Sequence, residues 1–259
     1  MALPWPQVVL FGDSLFQQAA EVKDGFSFEA ALQQQVLRRY DVVNRGLSGY
    51  NTSQALKHID QIFTKPTEGG PKIKYLFVLL GANDACVKMP TNQQHIPLDK
   101  YKENLTKIIT HPLITAHNPK ILLVTPPPID EIHITKLDLA WGHQEATRKA
   151  KISATYSQAV RDVAAEHPGT VLIDLCKAIM DVAIAKTPGF EPKTGVALGD
   201  PESGLRGYLE HLLPDGLHMS GEAYRIFFDA VKGHIESWDE ESREGYTLPD
   251  WQVAPKLED

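Results

Sequence analysis

Five short runs of Val, Ile and Leu punctuate the chain: Gln7–Phe11, Tyr40–Asn44, Tyr75–Leu80, Lys120–Thr125 and Thr170–Leu175. Their apolar positions are nearly continuous rather than alternating with polar ones, the pattern of strands buried on both faces of a parallel sheet. Between and after them the apolar spacing changes to that of amphipathic helices, over Ser27–Arg38, Ser53–Phe63, Leu98–Ile114, Glu145–Glu166 and Ser220–Trp238. Strand and helix in regular alternation predict an α/β three-layer sandwich around a five-stranded parallel sheet. In such a fold the site lies outside the carboxyl ends of the strands, so the residues after each strand are the ones to search for chemistry.

Two stretches interrupt the rhythm. Pro126–Gly142 starts with three prolines, and Thr187–Gly207 is rich in Gly and Pro and reads as a long loop. Irregular segments longer than about 12–15 residues are usually functional or disordered. Both follow strand ends, which makes both candidates to wall a substrate pocket. No internal repeat or linker composition divides the chain, and residues 1–238 are expected to form one domain.

Composition narrows the class. With 259 residues, 42% apolar and 23% charged, the chain has an ordinary globular balance. The formal charge of −7 argues against a general nucleic-acid binder. The last 22 residues hold seven acids and two bases, so most of that charge sits in an acidic tail, 239–259, and the body is close to neutral. Tyr246, Leu248, Trp251 and Val253 interrupt the tail's polarity, and they are expected to dock it on the body or across a homodimer interface near the pocket mouth. No apolar run approaches the roughly 18 residues of a membrane span, and the amino end lacks the basic and apolar regions of a signal peptide. Two distant cysteines, Cys86 and Cys176, suit a reducing compartment and give no zinc-type spacing. A cytoplasmic setting is expected.

Four strand-end segments carry the candidate chemistry: Gly12-Asp13-Ser14-Leu15, Asn44-Arg45-Gly46, Gly81-Ala82-Asn83-Asp84 and Pro214-Asp215-Gly216-Leu217-His218. Each alone reads equally well as a turn or a helix cap, with Thr52 or Ser53 as the cap after the second strand and Ser220 as the cap of the last helix. Together, and in this order, they resemble the four blocks of the SGNH hydrolases, or GDSL esterases, with Ser14, Gly46, Asn83 and His218 at the positions that name the family. The wider strings NRGLSGYNT, LLGANDA and LPDGLHMS look most like the branch of isoamyl-acetate-hydrolysing esterases. Leu15-Phe16 departs from the commoner residues after the serine, which bears on pocket shape rather than on the nucleophile.

The chemistry is consistent with that resemblance. A serine hydroxyl needs a base to become a nucleophile, and an imidazole such as that of His218 titrates in the right range and can return the proton to a leaving alcohol. Asp215, three residues earlier, is either a turn former or the carboxylate that orients the imidazole, and the second role is favoured because Ser14 needs a base. The resemblance implies a flavodoxin-like SGNH fold, a serine esterase acting on small acetate-type esters through an acyl-enzyme, and an oxyanion hole built from Ser14, Gly46 and Asn83. It implies no cofactor and no metal. Sugar deacetylases, thioesterases and lysophospholipases of the same family, and a non-catalytic binding module, are the alternatives. Neither a GxSxG elbow nor a nucleotide-binding glycine motif is present.

Overall fold

The five apolar runs form one parallel sheet in the computed structural model, which describes residues 4–193, 195–237 and 245–257. The strands are β1 (Gln7–Gly12), β2 (Asp41–Gly46), β3 (Ile73–Leu79), β4 (Lys120–Val124) and β5 (Val171–Ile173), in the order β2-β1-β3-β4-β5. Side chains alternate between the faces. Val8, Leu10, Phe77 and Leu79 enter one core and Val9, Phe11, Leu76 and Val78 the other. Two-sided burial is what removes polar alternation from these runs. The helices Phe28–Gln35, Leu175–Ala185 and Gly221–Val231 pack together on one side, and Thr52–Lys57, Leu98–Ile109 and Ala150–Glu166 on the other. Phe28 stacks on Phe227 at a centroid distance of 4.4 Å, tying the first of these helices to the last.

Three sequence expectations change. The stretch 126–142 is not irregular throughout, because Glu131–Ala140 is a helix capped by Asp130, whose carboxylate accepts the His133 N–H at 3.1 Å. Its apolar residues Ile132, Ile134, Leu137 and Leu139 lie on no single face, so the periodicity is weak. The run expected as Thr170–Leu175 is a strand only over Val171–Ile173, because Asp174 caps a helix, Leu175–Ala185, whose apolar residues continue those of the strand without a break. The helix expected from Glu145 starts only at Ala150.

The acidic tail also differs from expectation. Residues 239–244, 258 and 259 lie outside the described residues, and of the four groups expected to dock only Tyr246 packs on the body: Leu248, Trp251 and Val253 are 47%, 78% and 74% exposed. Instead Thr247 donates to the Arg38 carbonyl at 2.9 Å, and the Arg38 guanidinium covers the Tyr246 ring at 4.3 Å. Arg38 lies just before β2, at the amino edge of the sheet and far from the strand ends where chemistry is expected. Polar partners already aligned on the backbone capture the segment, and Leu248, Trp251 and Val253 are left in water.

Candidate active site

The order of the strands sets the location. After β1 the chain turns to β2 on one side, and β3 lies on the other, so a crevice opens at the carboxyl ends of β1 and β3. Ser14 follows β1 and opens a short helical turn, Ser14–Gln17, capped by Asp13 through a 2.9 Å bond from the Leu15 N–H. As the first residue of that turn Ser14 has a backbone N–H with no helical acceptor, one of the donors every helix start leaves over.

His218 arrives from the opposite end of the chain in a turn shaped by Asp215. One Asp215 oxygen accepts the N–H groups of Leu217 and His218 at 2.9 and 2.7 Å. The other lies 2.6 Å from His218 Nδ1, while His218 Nε2 lies 2.9 Å from Ser14 Oγ. With Nδ1–H donating to the carboxylate, Nε2 is left to accept the serine hydroxyl proton. Burial works to raise the Asp215 carboxyl, but the His218 ring, the His218 N–H and the Leu217 N–H outweigh it and hold the group down at about 2. Asp215 is therefore ionised and its geometry is fixed from two sides.

Asn83 follows β3 and is 3% exposed. Its Nδ2 donates to the Tyr50 carbonyl at 2.9 Å, and its Oδ1 accepts from Arg148 Nη2 at 2.8 Å and from Gln94 Nε2 at 3.2 Å. One Nδ2 hydrogen is thereby left for the crevice. The adjacent Asp84 accepts from both the N–H and the hydroxyl of Thr52 and so ties the end of β3 to the helix that follows β2. That helix is capped not by Thr52 or Ser53 but by Asn51, in a reciprocal capping box with Gln54. Asp13 is fully buried, its Oδ2 has no hydrogen-bond partner among the described residues, and desolvation, offset in part by the Leu15 N–H, lifts its carboxyl to about 7.

Gly46 is a correction to the sequence expectation. Its N–H donates to Asn44 Oδ1 at 2.8 Å, and its Cα faces the backbone of Phe16 and Gln17 rather than the crevice. The glycine that reaches the crevice is Gly49, three residues on, in a left-handed conformation (φ +80°) that favours glycine. Its N–H has no acceptor among the described residues. NRGLSGYNT holds two glycines three residues apart, and the sequence expectation falls on the first of them.

Ser14, Gly49, Asn83 and His218 line one cavity of about 230 Å³. Its apolar wall comes from Ile134, Leu137 and Trp141 of the unexpected helix region, together with Leu217. Thus 126–142 does wall the pocket. The described residues of 187–207 do not; they brace that wall from behind, with Arg206 Nε 2.6 Å from Asp130 Oδ2 and the Gly199 carbonyl accepting the Ile132 N–H at 3.1 Å. Arg148 and Gln94 also line the cavity, and no sequence motif points to either. Arg148 fell inside an expected surface helix, whereas it lies ahead of that helix in an isolated antiparallel bridge with Cys86.

Comparison with known proteins adds the family. The model of the GDSL-like lipase/acylhydrolase family matches residues 10–226. A GDSL esterase/lipase of Arabidopsis thaliana is 36% identical over 98% of this chain and 93% of its own length. The isoamyl acetate-hydrolyzing esterase 1 homolog of Mus musculus is 34% identical over 67% of this chain and 68% of its own. Among solved structures, a lipase/acylhydrolase from Enterococcus faecalis shares the fold with a TM-score of 0.57 at 21% identity, covering 90% of this chain and 99% of that one.

Proposed function

Because the chain belongs to the GDSL-like lipase/acylhydrolase family and is a carboxylic-ester hydrolase, we propose that Ser14, His218 and Asp215 carry its reaction as nucleophile, general base and orienting carboxylate. The observation that carries this reading is the unbroken hydrogen-bonded chain from Ser14 Oγ through both ring nitrogens of His218 to Asp215 Oδ2, at 2.9 and 2.6 Å.

In the first step His218 Nε2 takes the Ser14 hydroxyl proton as Oγ bonds to the ester carbonyl carbon, and the carbonyl electron pair moves to oxygen. Three donors are left over for that oxyanion: the Ser14 N–H, the Gly49 N–H and the remaining Nδ2 hydrogen of Asn83. Aimed at charge that appears only during reaction, such donors accelerate the chemical step rather than tighten substrate binding. Collapse expels the alcohol, which receives the proton from His218 and leaves an acyl-Ser14. Water then loses a proton to His218 as its oxygen bonds to the acyl carbon; the bond to Ser14 Oγ breaks, the proton passes from His218 back to Oγ, and the acid leaves. No step calls for a metal or a cofactor.

Acetate-type esters with a short apolar alcohol are the substrates favoured. The similarity to an isoamyl acetate-hydrolyzing esterase homolog supports this class, and so does a cavity of modest volume walled by Ile134, Leu137 and Leu217. The finer expectations stand beside it as proposals: a cytoplasmic setting, supported by two unpaired thiols, and a homodimer contact at the exposed Leu248, Trp251 and Val253. Labelling with a fluorophosphonate probe followed by peptide mapping tests the central reading. Modification at Ser14, lost in Ser14→Ala, is the expected result; hydrolysis of acetate esters at an undiminished rate by Ser14→Ala would overturn it.

A further inference from the structure

An asparagine amide is a useful oxyanion donor only if its nitrogen, not its oxygen, faces the reacting atom. Nothing in the side chain's shape sets that choice, since the two ends are nearly isosteric. Around Asn83 the neighbours set it. Arg148 Nη2 at 2.8 Å and Gln94 Nε2 at 3.2 Å both present donors to one end, and the Tyr50 carbonyl at 2.9 Å presents an acceptor to the other. Turning the amide over would set its NH₂ against a guanidinium and an amide NH₂, and its oxygen against a carbonyl.

Arg148 is itself held at two points. Its Nε donates to the Ala82 carbonyl, the residue before Asn83, at 3.0 Å, so the fork grips the β3 end by both backbone and side chain. No carboxylate of the described residues lies within ion-pair distance of it, and its charge is therefore directed at Asn83 Oδ1 and the cavity. The preceding residue fixes the chain: the Thr147 N–H donates to the buried Asp138 at 2.6 Å, and its carbonyl accepts the Val87 N–H at 2.7 Å. Asp138 belongs to the helix Glu131–Ala140, which also supplies Leu137 to the pocket wall.

We infer that Arg148 is a positioning residue for the esterase reaction: it locks the Asn83 amide with its nitrogen toward the substrate oxygen and, by polarising Oδ1, strengthens the remaining Nδ2–H as a donor. This rests on the reading of Asn83 as an oxyanion donor. A charge-assisted bond to Oδ1 withdraws electron density from the whole amide, and chains of such bonds reinforce one another in a low-dielectric site.

The test is a double-mutant cycle on the full chain with a short acetate ester. Asn83→Ala is expected to lower kcat by about 10²–10³-fold, the usual effect of deleting one oxyanion donor. Arg148→Met is expected to lower kcat by about 10–100-fold, a part of that effect, with KM changed less than about threefold. Arg148→Lys, which can offer Oδ1 one bond but cannot keep both contacts, should recover part of the loss. In the Asn83→Ala background Arg148→Met should cost less than about threefold more, since its route of action is gone. A loss of the same size in both backgrounds, or a defect confined to KM, would overturn the inference while leaving Asn83 as donor. An Asn83→Ala enzyme with wild-type kcat would sink both readings. The side-chain amide protons of Asn83 in protein labelled with ¹⁵N-asparagine give a readout independent of turnover. Arg148→Met should shift them markedly, and unchanged resonances would count against the inference.

Discussion

A Cβ placed on Gly46 would fall 2.0 Å from the backbone nitrogen of Gln17. The edge strand β2 and the helical turn that begins at Ser14 therefore meet backbone to backbone, with no side chain between them. Asn44 completes the joint, donating to the Phe16 carbonyl at 2.7 Å and accepting the Gly46 N–H. The Ser14 turn is seated on β2 by this contact, which explains the demand for glycine at position 46 by packing alone.

The two glycines of that string should separate in experiment. Gly46→Ala forces Gln17 away and is expected to lower stability by about 1–3 kcal/mol or more, as overpacking does, with activity falling alongside because Ser14 moves. Gly49→Ala meets Gln94 Nε2 only at 3.4 Å. Its cost is the left-handed backbone, about 1–2 kcal/mol, and any change in the direction of its N–H should be read in kcat at temperatures well below unfolding. Thermal unfolding and steady-state kinetics on both variants check this; a Gly46→Ala protein with wild-type melting temperature would show that the joint is looser than its geometry.

The catalytic chain should behave as one unit. Ser14→Ala and His218→Ala are each expected to remove nearly all turnover, and the double variant to be little worse than either. Asp215→Asn keeps an acceptor for the Leu217 and His218 N–H groups but presents an amide to Nδ1. Loss of the correct tautomer should cost on the order of 10⁴-fold in kcat with the fold retained. Additive losses in the double variant, measured with a chromogenic acetate ester, would separate Ser14 from His218.

How much of this could be read from the chain follows from what each signal records. Strands buried on both faces record burial directly, and all five runs lie within a few residues of the observed strands. Ser14, Asn83 and His218 could be named because their blocks, taken together and in order, resemble a known family; each block alone reads equally well as a turn or a cap, and Asp215 followed from the need to orient the base. Gly46 went wrong for a physical reason: a glycine marks a place without room for Cβ, and it does not say whether the neighbour is a substrate or the backbone of Gln17. Arg148 and Gln94 were invisible because their contacts with Asn83 join segments 65 and 11 residues apart in the chain, and no local pattern records such a contact. The helix Glu131–Ala140 was hidden by apolar residues scattered around its surface, although Asp130 is an ordinary capping residue.

Stability should fall as pH rises through the acid and neutral range. The Asp13 carboxyl, lifted by burial to about 7, and that of Asp84, lifted by burial to about 6, hold protons in the folded chain that an unfolded chain gives up near its ordinary value of 3.8. The folded state thus binds more protons between about pH 4 and 7, and stability declines across that window. Asp215 has the opposite sign: its carboxyl is held at about 2, so its contribution is present above pH 4 and is lost as pH falls toward 2. Asp13→Asn keeps an acceptor for the Leu15 N–H but cannot ionise. It should flatten the decline by an amount on the order of a few kcal/mol between pH 4.5 and 8. The slope is the measure, because the variant's absolute stability also reflects burial of an unpaired amide NH₂. Parallel curves of unfolding free energy against pH for the two proteins would mean that Asp13 is equally ionised in both states.

The tail contact at Arg38 gives the last expectation. Besides the Tyr246 ring, the Arg38 guanidinium reaches the carbonyls of Leu248 and Pro249 at 3.3 and 3.0 Å and the Asp250 carboxylate at 3.7 Å, while the Thr247 hydroxyl donates to the Arg39 carbonyl at 3.2 Å. Exposed cation–π contacts are worth about 0.5–1 kcal/mol and single hydrogen bonds about 1 kcal/mol, and ordering the segment offsets much of their sum. Removing residues 245–259 should therefore cost only about 1–2 kcal/mol, and Arg38→Ala should reproduce most of it. Neither change should alter the ranking of acetate, butyrate and octanoate esters, because Arg38 precedes β2 whereas the cavity lies beyond the other ends of the strands. Melting temperatures and ester profiles of the two variants decide the matter: a shifted ester ranking would place the tail at the pocket mouth after all, and unchanged melting in both would leave the Arg38 contact without energetic weight.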